Sequence, residues 1–125
     1  MTKRILVVDD SSLARRTLRQ ILENAGYQVE EAADAVQALE RYFLQPHDLV
    51  MLDNVMDKMF GLEAITKFKE LNPKVRVIMA TADIQSSTRD QAIAAGACAL
   101  VNKPINRDEL LQLVGAALKE EGACN

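Results

Sequence analysis

Tryptophan is missing from this sequence, and two tyrosines and three phenylalanines bring its aromatic content to only 4%. A partner surface built on aromatic anchors would have little to work with. Cysteine occurs twice, as Cys98 and Cys124, far apart and in unrelated surroundings. That spacing suggests neither a metal knuckle nor a redox pair, so a reducing cytoplasm is the expected setting. Long apolar runs are also missing. Ile5-Leu6-Val7-Val8 is closed at once by two aspartates, too short for the core of a signal peptide or for a membrane span. There is no excess of positive charge either: the formal net charge of -3 gives no reason to expect a nucleic-acid binder. Arg15, Arg16 and Arg19 do cluster, and they read as a solvated helix face.

What is present is hydrophobic patterning. At 49% hydrophobic and 26% charged, the 125 residues can build a core. Residues 1–125 are expected to form a single domain, with its core over about 3–118 and a short frayed tail at Lys119–Asn125. Five runs, Arg4–Asp9, Gln28–Ala32, Asp48–Asp53, Val75–Thr81 and Cys98–Asn102, alternate with helix-period segments. Four of them are nearly continuous in apolar character, as strands buried on both faces of a parallel sheet are. Gln28–Ala32 is more polar and belongs at an edge.

The intervening segments each carry a stripe. Leu13, Leu18, Ile21, Leu22 and Ala25 form the first, stopped by Gly26. Asp34 reads as the next N-cap, ahead of Val36, Leu39, Tyr42 and Phe43. Leu62, Ile65, Phe68 and Leu71 follow, ended by Pro73. Ile84–Ala95 is the weakest helix by pattern and is closed by Gly96. Asn106 and Glu109 form a capping pair before Leu110, Leu113, Val114, Ala117 and Leu118. Strict βα alternation with short loops implies an α/β fold, a doubly wound parallel sheet with helices on both faces.

In such a sheet, ligands bind beyond the carboxyl ends of the strands. The first run ends in Asp9-Asp10, the third in Asp53, the fourth in Thr81, and the fifth leads to Lys103-Pro104. Carboxylates brought together repel one another, and a hard divalent cation relieves that repulsion. Oxygen-only ligands with room for water suit Mg²⁺ or Mn²⁺ better than zinc. His47, the single histidine, is not needed. A lysine and a hydroxyl beside a metal-bound carboxylate form a cradle for phosphoryl oxygens. Each residue alone has a plainer reading: Asp10 as a helix N-cap, Thr81 as a β-branched strand end, Lys103 as a surface lysine. Their arrival at successive strand ends is what favours a site.

On these motifs the sequence resembles the response-regulator receiver family, the CheY-like domains of two-component signalling and phosphorelay. The matching pieces are Ile5 to Asp10, Asp48 to Asp53 with Met56 and Met59-Phe60-Gly61 behind it, Ala80-Thr81-Ala82, and Gly96-Ala97 leading to Lys103-Pro104. They cover essentially the whole chain.

The resemblance implies a flavodoxin-like fold with strand order 2-1-3-4-5 and five helices. It implies Asp53 as nucleophile and phosphoacceptor. Asp9 and Asp10 would position Mg²⁺, with Asp10, Asp53 and the backbone carbonyl of Val55 as the most direct ligands. Thr81 and Lys103 would each take a phosphoryl oxygen, with backbone N–H groups of Val55 and Ala82 as further donors and a cis peptide bond before Pro104. The donor would be a sensor histidine kinase or a histidine phosphotransfer protein, and the output would be binding to a downstream protein. No nucleic acid and no membrane is implied, and no catalysis beyond the domain's own phosphorylation and dephosphorylation.

Several positions depart from the family pattern. Asp57 replaces the usual proline four residues after the acceptor, and Phe60 replaces a small polar or acidic residue. Leu100 stands where an aromatic ring is common, and leucine can make no ring-based switch. Val55 cannot orient attacking water, whereas Asp83 can, which implies slow to moderate hydrolysis of the acyl phosphate. A phosphatase of similar architecture would want a second acid where Val55 stands. A flavin or nucleotide carrier would want a phosphate loop where Asp9-Asp10-Ser11-Ser12 places paired carboxylates. A degenerate receiver is disfavoured by the intact set of Asp9, Asp10, Asp53, Thr81 and Lys103.

Overall fold

The branched apolar runs become five strands, β1 Arg4–Val8, β2 Gln28–Ala32, β3 Leu49–Asp53, β4 Val77–Thr81 and β5 Ala99–Asn102. Helices α1 Ser12–Asn24, α2 Ala35–Leu44, α3 Gly61–Leu71, α4 Ser86–Ala95 and α5 Arg107–Lys119 connect or follow them. This computed structural model describes residues 2–54, 59, 61–82 and 86–119, with the backbone alone at Ser86 and Ser87. The strands form one parallel sheet in the order β2-β1-β3-β4-β5, which is the order implied by the family resemblance.

Three strands start later than the apolar pattern suggests. β3 begins at Leu49; just before it, Asp48 bonds to Arg4 of β1 through both its N–H and its side chain, Oδ2 accepting from the Arg4 N–H at 2.8 Å. The Val75 N–H closes a turn on the Asn72 carbonyl at 3.0 Å, and β4 begins at Val77. β5 begins at Ala99, one residue after Cys98. Cys98 itself is disulfide-bonded, contrary to the expectation of unpaired thiols. Its neighbour by composition, Cys124, lies outside the described residues.

Alternation along the strands divides the core in two. Leu6, Val8, Val50, Leu52, Val77 and Met79 face one side, where they meet the buried residues of α2, α3 and α4. Ile5, Val7, Leu49, Met51, Ile78 and Ala80 face the other, against α1 and α5. Each large side chain in these layers contributes about 1.5–3 kcal/mol on burial. These two layers, more than any single polar bond, hold the strand ends level.

The helices roll differently from their sequence stripes. Leu13 and Phe43 are 71% exposed, Val36 is 50% exposed, and Leu71 and Ala25 also face outward. In α2 the residues against the sheet are Ala35, Ala38 and Tyr42. Small side chains let a helix approach closely, so the alanines win the contact face and the larger Val36 and Phe43 are left outside. Leu18 and Leu22 of α1 are buried as expected, as are Ile65 and Phe68 of α3 and Leu110, Val114 and Ala117 of α5. α1 ends at Ala25 with Gly26 at φ +100°, where the Tyr27 N–H reaches back to the Leu22 carbonyl at 3.1 Å. That is the glycine-dependent helix stop the sequence implies. Asp34 and Asn106 cap α2 and α5, accepting from Gln37 N at 2.8 Å and Glu109 N at 2.9 Å. No helix among the described residues is long and apolar enough to cross a membrane.

Candidate functional site

Parallel register brings the polar strand ends together. Val8 of β1 lies opposite Leu52 of β3, so Asp9 and Asp53 follow side by side. Asp53 lies opposite Ala80 of β4, which brings Thr81 just beyond it. Thr81 in turn lies opposite Asn102 of β5, and Lys103 comes next. β1 and β3 are adjacent at the centre of the sheet while the chain leaves them to opposite sides, the arrangement that opens a crevice at the carboxyl ends.

Carboxylate oxygens of Asp9, Asp10 and Asp53 lie within 4.8 Å of one another. Asp9 is 2% exposed, Asp53 is part-buried and Asp10 is exposed. Lys103 Nζ bridges two of them, at 2.8 Å from Asp53 Oδ1 and 3.1 Å from Asp9 Oδ2. Asp9 Oδ1 accepts from the Ser11 N–H at 2.9 Å. The role of N-cap falls to Ser11, whose hydroxyl accepts from Ala14 N at 3.2 Å, so the plainer reading of Asp10 as the cap does not apply.

Burial pushes the Asp53 carboxyl above its ordinary range, and the charges of Asp9 and Asp10 push the same way against the Lys103 hydrogen bond. Burial also disfavours the Lys103 ammonium, but its bonds and charge pairing with Asp53 and Asp9 outweigh that and raise it. Among the described residues, the Lys103 ammonium pairs with two of the three clustered acids, Asp9 and Asp53. The donor set is hard oxygen only and one member is open to solvent, which fits a divalent cation that keeps water ligands. Val55 lies outside the described residues, as do Met56, Asp57, Lys58, Phe60 and Asp83.

Thr81 is 2% exposed at the tip of β4. Its hydroxyl accepts from Asn54 Nδ2 at 3.3 Å, and its carbonyl accepts from Lys103 N at 2.9 Å. Asn54, directly after Asp53, thereby ties β3 to β4, a link not anticipated from sequence. The Lys103–Pro104 peptide is cis. Ala82 is exposed beside Thr81. Leu100 lies opposite Met79 and packs, partly buried, on the layer shared with α3 and α4.

Arg15 was the larger omission. The solvated reading holds for the exposed Arg16 but not for Arg15: Arg15 and the half-exposed Arg19 both pair with Glu31 of β2, and Arg15 Nη1 also donates to the Asp9 carbonyl at 2.6 Å. The signal available was its place, one turn past the cap of the helix that follows the acid pair. His47 lies at the opposite end of the sheet. It lines a cleft of about 460 Å³ with Arg4, Glu30 and Tyr27 and takes no part in the site. A second cleft, of about 370 Å³, lies beside the acids and is lined by Asp9, Leu13, Leu18, Lys103, Pro104 and Ile105.

Comparison with known proteins shows the family. The family profile of the response regulator receiver domain matches residues 5–115. The chemotaxis protein CheY of Halobacterium salinarum is 36% identical over 118 residues, covering 94% of this chain and 98% of that protein. CheY of Bacillus subtilis is 36% identical over 119 residues, covering 94% and 99%. Among solved structures, the CheX-CheY-BeF3-Mg²⁺ complex of Borrelia burgdorferi includes a chain matching with a TM-score of 0.89 and 30% identity, covering 94% of this chain and 90% of that one.

Proposed function

The chain belongs to the response regulator receiver family, and we propose that it accepts a phosphoryl group from a phosphohistidine onto Asp53 and signals through altered protein binding. The observation that carries this reading is Lys103 Nζ bridging Asp9 and Asp53 within a cluster of three carboxylates. Asp9, Asp10 and Asp53 would hold Mg²⁺, with Mn²⁺ as a substitute and the Val55 carbonyl as a further ligand. When bound, the cation would neutralise charge on the transferring phosphoryl group.

An oxygen of the Asp53 carboxylate attacks phosphorus in line. The donor's P–N bond breaks, an O–P bond forms, and the imidazole leaves with a proton. Lys103 pairs with one phosphoryl oxygen as charge moves onto it, and Thr81 donates its hydroxyl to another. Thr81 is drawn toward the new group and biases the loop after β4 between two arrangements. With leucine at position 100, that coupling runs through Thr81 without a ring-based partner. Catalysis is confined to the domain's own phosphorylation and hydrolysis.

The apolar cleft beside Asp9 and Lys103, flanked by the 71% exposed Leu13, suits a helix of a sensor histidine kinase or phosphotransfer protein carrying the donor histidine. Output goes to a downstream protein; the Borrelia relative is itself seen in complex with another protein, CheX. We place the chain in the cytoplasm, where such donors are made. The Cys98 disulfide is the one feature that pulls the other way.

Intact-mass spectrometry after incubation with acetyl phosphate or phosphoramidate and Mg²⁺ tests the reading. A Mg²⁺-dependent phosphoryl adduct on the wild type and none on Asp53→Asn is the expected result. No adduct with any donor, together with no beryllofluoride binding, would overturn it.

A further inference from the structure

Arg15 lies one turn into α1, and its side chain is only 17% exposed. Nη1 donates to the Asp9 carbonyl at 2.6 Å, and Nε donates to Glu31 Oε1 at 3.0 Å. Glu31 is held on its other oxygen by Arg19 Nη1 at 2.9 Å, and Arg19 Nε is paired with Glu23 at 3.0 Å. The Arg19 hydrogen bond, helped by Arg15 and opposed by burial, keeps the Glu31 carboxyl below its usual range, so the chain of charges is intact at neutral pH. It runs from the back of α1, across β2, to one backbone oxygen at the edge of the acid cluster.

That oxygen has particular leverage. The Asp9 carbonyl belongs to the planar peptide that carries Asp10, so the plane's orientation sets where Asp10 stands. Asp9 is also held through its N–H on the Ala32 carbonyl at 3.2 Å, through Oδ1 by Ser11, and through Oδ2 by Lys103. Among the described residues, Arg15 is the side chain that holds the carbonyl of the peptide leading on to Asp10. A charge-assisted bond of this length is among the stronger polar contacts a protein makes.

We propose that Arg15 is a positioning residue for the divalent cation: by holding the Asp9–Asp10 peptide it sets the spacing of the two acids. The proposal rests on the reading of these acids as a cation site. It makes a prediction opposite in sign to simple electrostatics. As a bare positive charge near three acids, Arg15 would repel a cation, and its removal would tighten binding. As a positioning residue, its removal loosens the ligands, and outer contacts of this kind typically change metal affinity by about 10–100-fold.

The experiment is titration of the full chain with Mn²⁺, followed by calorimetry, for the wild type, Arg15→Ala, Arg15→Lys, Glu31→Gln and Arg16→Ala, with folding checked by circular dichroism. Arg15→Ala and Arg15→Lys should each weaken Mn²⁺ about tenfold, since lysine keeps the charge but cannot span Asp9 and Glu31 with a rigid fork. Glu31→Gln should weaken it less, and the exposed Arg16→Ala should leave it unchanged. A purely structural role for Arg15 would lower stability without changing the affinity of the folded protein. Should Arg15→Ala fail to fold, Arg15→Lys and Glu31→Gln carry the test. Unchanged or tighter binding by folded Arg15 variants would overturn the proposal while leaving the cation site standing. A wild type that does not bind Mn²⁺ would overturn the cation site itself.

Discussion

Lys103, one residue past β5, places its Nζ 2.8 Å from Oδ1 of Asp53, the last residue of β3, although β4 lies between those two strands. The side chain reaches across the tip of β4 to a carboxylate whose burial already disfavours its charge. Loss of that ammonium would leave charge on the transferring phosphoryl group without its lysine partner. Lys103→Ala should slow adduct formation from acetyl phosphate about a hundredfold, the usual effect of removing one preorganised donor. Time courses of the adduct by mass spectrometry check this, and a wild-type rate would show that Lys103 serves only to hold the acids.

Gly61 opens α3 directly against the backbone of the proposed acceptor. Its N–H donates to the Asn54 carbonyl at 2.7 Å, and a Cβ there would meet Asn54 Cα at 2.9 Å and the Asp53 carbonyl at 3.0 Å. Backbone atoms cannot swing aside as a side chain can. Gly61→Ala should therefore destabilise the fold by about 1–3 kcal/mol, read from urea unfolding. It should also slow phosphorylation, because relief of the clash moves Asp53.

The Asn54–Thr81 hydrogen bond joins two strand tips through a buried hydroxyl. Asn54→Ala should cost about 1 kcal/mol, the ordinary net value of such a bond. In a double-mutant cycle with Thr81→Val the two losses should fall short of additive by about 0.5–1.5 kcal/mol. Strict additivity would mean that the contact contributes nothing in solution.

His47 supplies a pH dependence away from the site. Its side chain is fully buried, with Nε2 2.7 Å from Glu30 Oε1 and 3.4 Å from Arg4 Nη2, and Nδ1 has no hydrogen-bond partner. Burial lowers its pKa below the ordinary 6.5, Arg4 adds to that, and Glu30 and Asp48 oppose it. The unfolded chain therefore takes up the proton first as pH falls. His47 should leave stability intact above about pH 6.5 and erode it below. Denaturant midpoints from pH 8 to 5 check this, and His47→Gln should flatten that part of the profile.

A cation held by Asp9, Asp10 and Asp53, as proposed, would bind the native state alone, so Mg²⁺ should stabilise the folded protein. At ten times its dissociation constant the gain is about 1.4 kcal/mol. Asp10→Asn should abolish most of that gain. A melting temperature that rises equally in the variant would point to non-specific salt effects.

The class of fold was legible because burial on both faces leaves a continuous apolar run, and helices between such runs leave a period near 3.6. Asp9, Asp10, Asp53, Thr81 and Lys103 were legible for the same reason: each stands where an apolar run stops, and parallel strands stop at one end of the sheet. Which helix residues face inward was not. Val36 and Phe43 match the period as well as Ala35 and Ala38 do, and only close approach to the sheet chooses the small pair. Arg15, Asn54 and His47 were hidden more deeply. Their partners, Glu31, Thr81 and Glu30, lie 16, 27 and 17 residues away in the chain, so no local pattern records the pairing. Sequence by itself determined the alternation of elements and which polar residues stand at the strand ends. Tertiary structure alone decided which charges were bound rather than solvated, because that depends on how two layers of helices pack against one sheet.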